Sequence, residues 1–291
     1  MRERALLWSS NDLRWWQDGE TMNMRFENAP LVELIAEVHW STQADTLFGS
    51  MPPGFPVQIG GDMRASTEQF FTRFAIEMDD LGFRNSERLL PQDSPVFPNT
   101  PAIRFRRRAG EPPLIQVGSG VFTANGLPPT YSHWGDFRRP LSDGLGALLR
   151  SRDESEKSQP FASVSVRYID AFDERYWRGL TADQFISDVL GFPLNIPAGI
   201  GQHRDESRPL SMSQQYRVPL LEGGLMSVGI GDGFSNGVPA VVLEVTVEFQ
   251  DVEPDLDVTM KRLEHAHTLI NDMFHAATSK IHDLMKPVEV D

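Results

Sequence analysis

The chain has 291 residues, 40% of them hydrophobic and 23% charged, a balance that supports a folded core and excludes wholesale disorder. A formal net charge of −14 repels phosphate backbones, so no nucleic-acid partner is expected. Cysteine is absent, which excludes disulfide scaffolds, thiol nucleophiles and Cys-ligated metal centres and fits a cytoplasmic location; no apolar run approaches the ~18 residues of a membrane span.

Residues 1–23 read as an N-terminal extension. Their apolar stretch, Ala5 to Trp8, is too short for a secretory leader. Met22 and Met24 just before the first strand suggest an upstream start, and Trp8, Trp15 and Trp16 form the alternative, a docking segment. Phe26 to Trp40 then reads as a short turn and a half-buried β-strand. Val32, Leu34, Ala36, Val38 and Trp40 share one face, and Leu31, Glu33, Ile35, Glu37 and His39 the other. Met51 to Pro56 is a Pro/Gly loop.

Ser66-Thr-Glu-Gln69 has the form of a capping box, opening a helix that carries Phe70, Phe71, Phe74, Ala75, Met78 and Leu81 and ends near Gly82. Pro91 to Pro101 is a second loop. Ala102 to Arg108 and Leu114 to Ala124 read as strands, with Gly118 and Gly120 marking a bulge or a close backbone approach. Phe137, Leu141, Leu145, Leu148 and Leu149 repeat at helical spacing, which places Pro140 in the first turn. Arg150 to Pro160 is polar, charged and the best linker in the chain.

Beyond it, Ala162 to Ile169 is a strand with Val164, Val166 and Tyr168 on one face. Thr181 caps a short helix. Strands follow near Ser213–Leu220, Leu225–Gly231 and Ala240–Gln250, and a long helix over Leu256 to Met285 closes the chain. Strand, helix, strands and helix thus occur twice. The fold expected is α+β: two similar half-domains, each a curved antiparallel sheet packed on a helix, over residues 24–155 and 156–291. A single continuous antiparallel sheet with helices on one face is the alternative. The first half holds 16 basic and 20 acidic residues and the second 11 and 21, so an anion-binding surface is expected in the first half.

Four of the seven histidines, His265, His267, His275 and His282, lie in the terminal helix, but no pair has the i, i+4 spacing of a shared metal site. They read as solvated residues on a core-packing helix. Gly229 to Gly237 lies between strands and lacks a Lys-Ser/Thr, so it reads as a β-turn connection and not a phosphate loop. Arg104, Arg106 and Arg108 point to one face of their strand, as an anion or partner contact or as a charged edge. His133, Trp134 and Arg167 belong to the other polar–aromatic groupings. His133 and Asp136 could form an acid–base pair, yet nothing supplies a nucleophile, and Asp136 reads better as a helix cap. Arg167 suits an ion pair with a neighbouring strand.

Four segments in order, FENAPLVELIAEVHW, IQVGSGVFTAN…YSHWGDF, VSVRYIDAF and LEHAHTLINDMFHAATSKI, give the chain its resemblance to a sporadically distributed family of bacterial proteins without an established biochemical function. The resemblance spans Phe26 to Leu284. It implies a cytoplasmic protein of patchy occurrence, as found in defence and toxin–antitoxin-like systems, and supplies no catalytic residues. The expectation is a non-enzymatic protein-binding protein, regulatory or neutralising, with a protein partner and no cofactor, catalytic residue or metal. The alternatives are a small-ligand binder with an apolar pocket between sheet and long helix, and an enzyme with no recognisable motif.

Overall fold

A computed structural model describes residues 24–42, 61–91, 97–208 and 210–289. The N-terminal extension, the Met51 to Pro56 loop and part of the Pro91 to Pro101 loop lie outside the described residues.

The period-2 segments become β1 (Met24–Phe26), β2 (Leu31–His39), β3 (Asn85–Arg88), β4 (Thr100–Arg106), β5 (Leu114–Ser119), β6 (Val121–Gly126), β7 (Phe161–Phe172), β8 (Ser213–Pro219), β9 (Leu225–Ser235), β10 (Val238–Val252) and β11 (Pro287–Glu289). The longer helices are α1 (Gly61–Asp80), α2 (Trp134–Ser151) and α3 (Leu256–Thr278). Among the described residues, nine strands form one antiparallel sheet in the order β3-β4-β5-β6-β2-β7-β10-β9-β8. β1 pairs separately with β11.

The α+β class, the antiparallel sheet and the long C-terminal helix agree with the sequence reading. Each half starts on a central strand, β2 or β7, and leaves through a helical segment. It returns as strands ordered from the outside inwards, β4-β5-β6 or β8-β9-β10, and ends in α2 or α3. Direct pairing of β2 with β7 joins the two halves into one sheet.

One sheet face carries the core. Leu34, Ala36 and Val38 of β2 lie beside Val164 and Val166 of β7, which lie beside Val247 and Phe249 of β10. All are buried, and each Val, Leu and Phe among them contributes about 1.5–3 kcal/mol on transfer from water. Phe74 of α1 packs edge-on against Phe105 and Phe122. Gly144 lets α2 close on the sheet, since a Cβ there would sit 3.0 Å from Phe122 Cζ. Asp255 caps α3 by accepting a hydrogen bond from Val258 N–H at 3.0 Å.

Several local readings change. α1 begins at Gly61, so Ser66 is inside it and donates to Asp153 Oδ2 at 2.7 Å instead of capping. The stop at Gly82 holds: its φ is +85°, and Phe83 N–H bonds back to Met78 O, a Schellman ending. Leu114 to Ala124 is a hairpin, not one strand, because Gly120 (φ +75°) turns the chain. Gly118 is the close approach, where a Cβ would lie 2.0 Å from Thr100 O. Pro140 lies in the second turn of α2, which starts at Trp134. A register shift between Leu31 and Glu33 leaves Val32 38% exposed rather than in the core. Gly229 to Ser235 continue β9, so the connection read over Gly229 to Gly237 shrinks to a tight turn at Asn236 and Gly237, both at positive φ.

The charged Arg150 to Pro160 segment is docked. Arg152 is 2% exposed, its guanidinium 4.8 Å from the Phe161 ring centre, while Trp40 Nε1 donates to Glu156.

Candidate functional site

The long helices α1, α2 and α3 pack on one sheet face, and alternation puts a set of polar side chains on the other. In the first half they form a relay. Arg104 Nε on β4 donates to Gln116 Oε1 on β5 at 3.1 Å, and Gln116 Nε2 donates to Thr123 Oγ1 and Asn125 Oδ1 on β6 at 3.1 Å. Asn125 Nδ2 then donates to Glu33 Oε1 on β2 at 2.7 Å. At the outer end, Glu87 of β3 pairs with Arg106 at 3.0 Å and Arg104 at 3.6 Å.

A second group straddles the junction of the halves. Arg167 on β7 pairs with Glu37 on β2 at 2.5 Å and with Glu244 on β10 at 3.6 Å. His39 lies 3.7 Å from Glu37 and 3.1 Å from Asn99 Oδ1. The imidazole of His39 lowers the Glu37 carboxyl below its usual range, with Arg167 adding to the effect against burial. The Glu37 carboxylate in turn raises His39. Nδ1 of His39 faces Asn99 Oδ1 and Nε2 faces the Glu37 carboxylate, an arrangement that favours the imidazolium.

Toward the far edge the same face opens into a groove of about 550 Å³. Arg217, Asp232 and Glu244 are its charged lining residues, and Gly229 and Gly231 expose backbone there.

The helix-covered face holds a different polar cluster. Tyr131 and Tyr168 hydroxyls are 3.2 Å apart, and Tyr168 Oη lies 2.8 Å from His267 Nδ1. Trp134 stacks on His267 at 4.4 Å. Burial pushes Tyr131 up to about 12, Tyr168 well above its usual value and His267 down to about 4. His267 is therefore neutral at pH 7 and shares one hydrogen bond with the Tyr168 hydroxyl. Asp170, two residues along β7, is 4% exposed, and burial pushes it up to about 7.

The sequence candidates thus separate. Arg104, Arg106 and Arg167 share the face that no described helix covers, the uncovered face. Arg108 falls beyond β4, is 80% exposed at its side chain and pairs with Glu111, because the strand ends at Arg106. His133 and Trp134 begin α2 on the other side of the sheet; His133 pairs with Asp136 at 3.3 Å, and Asp136 sits inside the first turn rather than at the cap. The helix histidines are not solvated as read. His267 is packed as described, and the rings of His275 and His282 are 5.4 Å apart with Phe26 against both. Burial lowers both, His275 to about 4. Sequence periodicity alone missed these contacts because β1 and α2 supply the covering residues.

Gln116, Thr123, Asn125 and Glu244 were missed as members of the polar face. Their alternation with core residues was the available signal. Among the described residues, no three His, Cys, Asp or Glu are placed to hold a metal ion, and no helix is long and apolar enough to cross a membrane. Comparison with known family models, curated proteins and solved structures finds no match.

Proposed function

We propose that this chain is a non-enzymatic binding protein that recognises another protein through the uncovered face of its sheet. The observation that carries this reading is the set of charges held in place across that face by Arg104, Gln116, Asn125, Arg167 and their partners. Side chains already fixed by hydrogen bonds lose little freedom on binding and present a defined pattern to a partner. Around β2, β7 and β10 the face carries Glu33, Glu37, Glu244 and Glu248 against Arg167 and His39, an acidic excess that complements a basic protein surface. The family resemblance adds a role as a regulatory or neutralising partner in a bacterial defence or toxin–antitoxin-like system.

A small ligand is the second reading, favoured by a groove whose about 550 Å³ falls in the size range of ligand sites. That groove lies opposite α3 and not beneath it, and its polar lining is unlike the apolar walls of most such sites.

The test is affinity capture from the native host with three baits: the wild-type chain, a Glu244→Arg/Glu248→Arg variant, and Ile76→Arg on the exposed side of α1. The expected result is a stoichiometric protein held by wild type and Ile76→Arg and lost with the double variant. A partner retained by the double variant, or the absence of any stoichiometric protein, would overturn the proposal.

A further inference from the structure

β8 ends the nine-stranded sheet, and six of its seven residues are exposed. Its hydrogen-bond parity is set at both ends. Asp232 N–H bonds to Met212 O, and Leu220 N–H bonds to Gly224 O, each at 3.1 Å. Bonding in an antiparallel ladder alternates, so the even-numbered residues of β8 face β9. Ser213, Gln215 and Arg217 therefore direct their backbone N–H and C=O groups away from the sheet. Pro219, the next outward position, has no N–H, which limits the edge left unpaired among the described residues to about five residues.

The side chains flanking this edge differ between faces. Tyr216 (39% exposed) and Val218 (46%) offer apolar surface on the helix side. Arg217 lines the groove on the other side and has no carboxylate partner among the described residues.

From this edge we infer that β8 binds an extended segment of the partner protein by strand addition. The segment alternates apolar residues, placed over Tyr216 and Val218, with acidic residues placed beside Arg217. The chemistry favours this occupant over a second copy. Antiparallel pairing of two β8 strands brings no carboxylate to Arg217, because β8 itself contains no Asp or Glu. The inference rests on the reading that the chain binds protein, and it concerns the edge strand of that sheet, whose Arg217 borders the groove that Glu244 also lines.

The probe is a capped, fluorescently labelled octapeptide alternating valine with aspartate, compared by polarisation with its valine–lysine counterpart and with a backbone N-methylated form. The aspartate peptide is expected to bind, the lysine peptide to bind at least about tenfold more weakly, and N-methylation to abolish binding. Arg217→Glu is expected to reverse the peptide preference. Gln215→Pro, which removes only an outward N–H, is expected to weaken the aspartate peptide about tenfold. Equal binding of the two charged peptides, unchanged binding to Gln215→Pro, or no binding at all would overturn the inference. If Gln215→Pro does not fold, the charge reversal at Arg217 decides. A wild-type dimer in sedimentation that becomes monomeric in Arg217→Glu would assign the edge to a second copy and also overturn it. A captured partner lost with Glu244→Arg/Glu248→Arg but kept by Arg217→Glu would sink the edge and leave the protein-binding reading standing.

Discussion

Arg167 and Glu37 meet at 2.5 Å across the β2–β7 pairing, at the line where the two halves of the sheet join. The pair is part of a charge group that also includes His39 and Glu244.

This group gives the protein a pH signature. Glu37 is lowered from its ordinary 4.5, so its contribution is present above that value and is lost as pH falls through its folded value. His39 is raised from 6.5, so its contribution is complete below pH 6.5 and is lost as pH rises through its folded value. Both are in place between pH 4.5 and 6.5. The melting-temperature advantage of wild type over His39→Asn should be largest there and shrink above pH 6.5; an advantage independent of pH would contradict the pairing.

Asp170 should act in the opposite sense at neutral pH. Its carboxyl is raised from 3.8 to about 7 by burial, so the folded protein holds the proton longer than the unfolded chain. Its contribution is complete below pH 3.8 and is lost as pH rises through about 7. Relative to wild type, Asp170→Asn should gain stability as pH rises, levelling above pH 7 at on the order of a few kcal/mol. Urea unfolding of both proteins from pH 5 to 8 measures this, and a flat difference would refute it.

Tyr168 bridges Tyr131 and a neutral His267. Tyr168→Phe leaves two buried polar groups short of a partner and should lower stability by about 1–3 kcal/mol in urea unfolding at pH 7. Because burial holds His267 near 4 against an ordinary 6.5, its contribution is complete above pH 6.5 and is lost as pH falls toward 4. His267→Gln should flatten that acid limb.

Gly118 admits no side chain, since a Cβ would overlap the Thr100 carbonyl at 2.0 Å. Gly118→Ala must displace β4 from β5, and with them the Arg104–Gln116 bond. Its destabilisation should exceed that of Gly82→Ala, where φ is +85° but nothing lies within 4 Å. Equal melting temperatures for the two variants would exclude the overlap as the reason for glycine.

Strand and helix positions were legible because alternation and helical spacing are local. Val164, Val166 and Tyr168 share the core face as their period predicts, and α1 stops at Gly82. Local pattern failed where partners come from far along the chain. Arg152 looked like linker charge, yet Trp40 and Phe161 enclose its guanidinium. His267 looked solvated until Trp134 stacked on it from α2. Gly120 looked like part of a strand because a tight hairpin preserves alternation on both arms.

By itself the sequence determined the α+β class, the faces of the central strands and the repeat of strand, helix, strands and helix, because these depend on residue spacing along the chain. Tertiary structure decided that β2 and β7 join the halves into one sheet and that β8 is an edge. It also brought Arg104, Arg106 and Arg167 to the uncovered face while placing Trp134 against His267 on the other. Strand order and the approach of distant side chains arise from long-range pairing and packing, which no local period encodes.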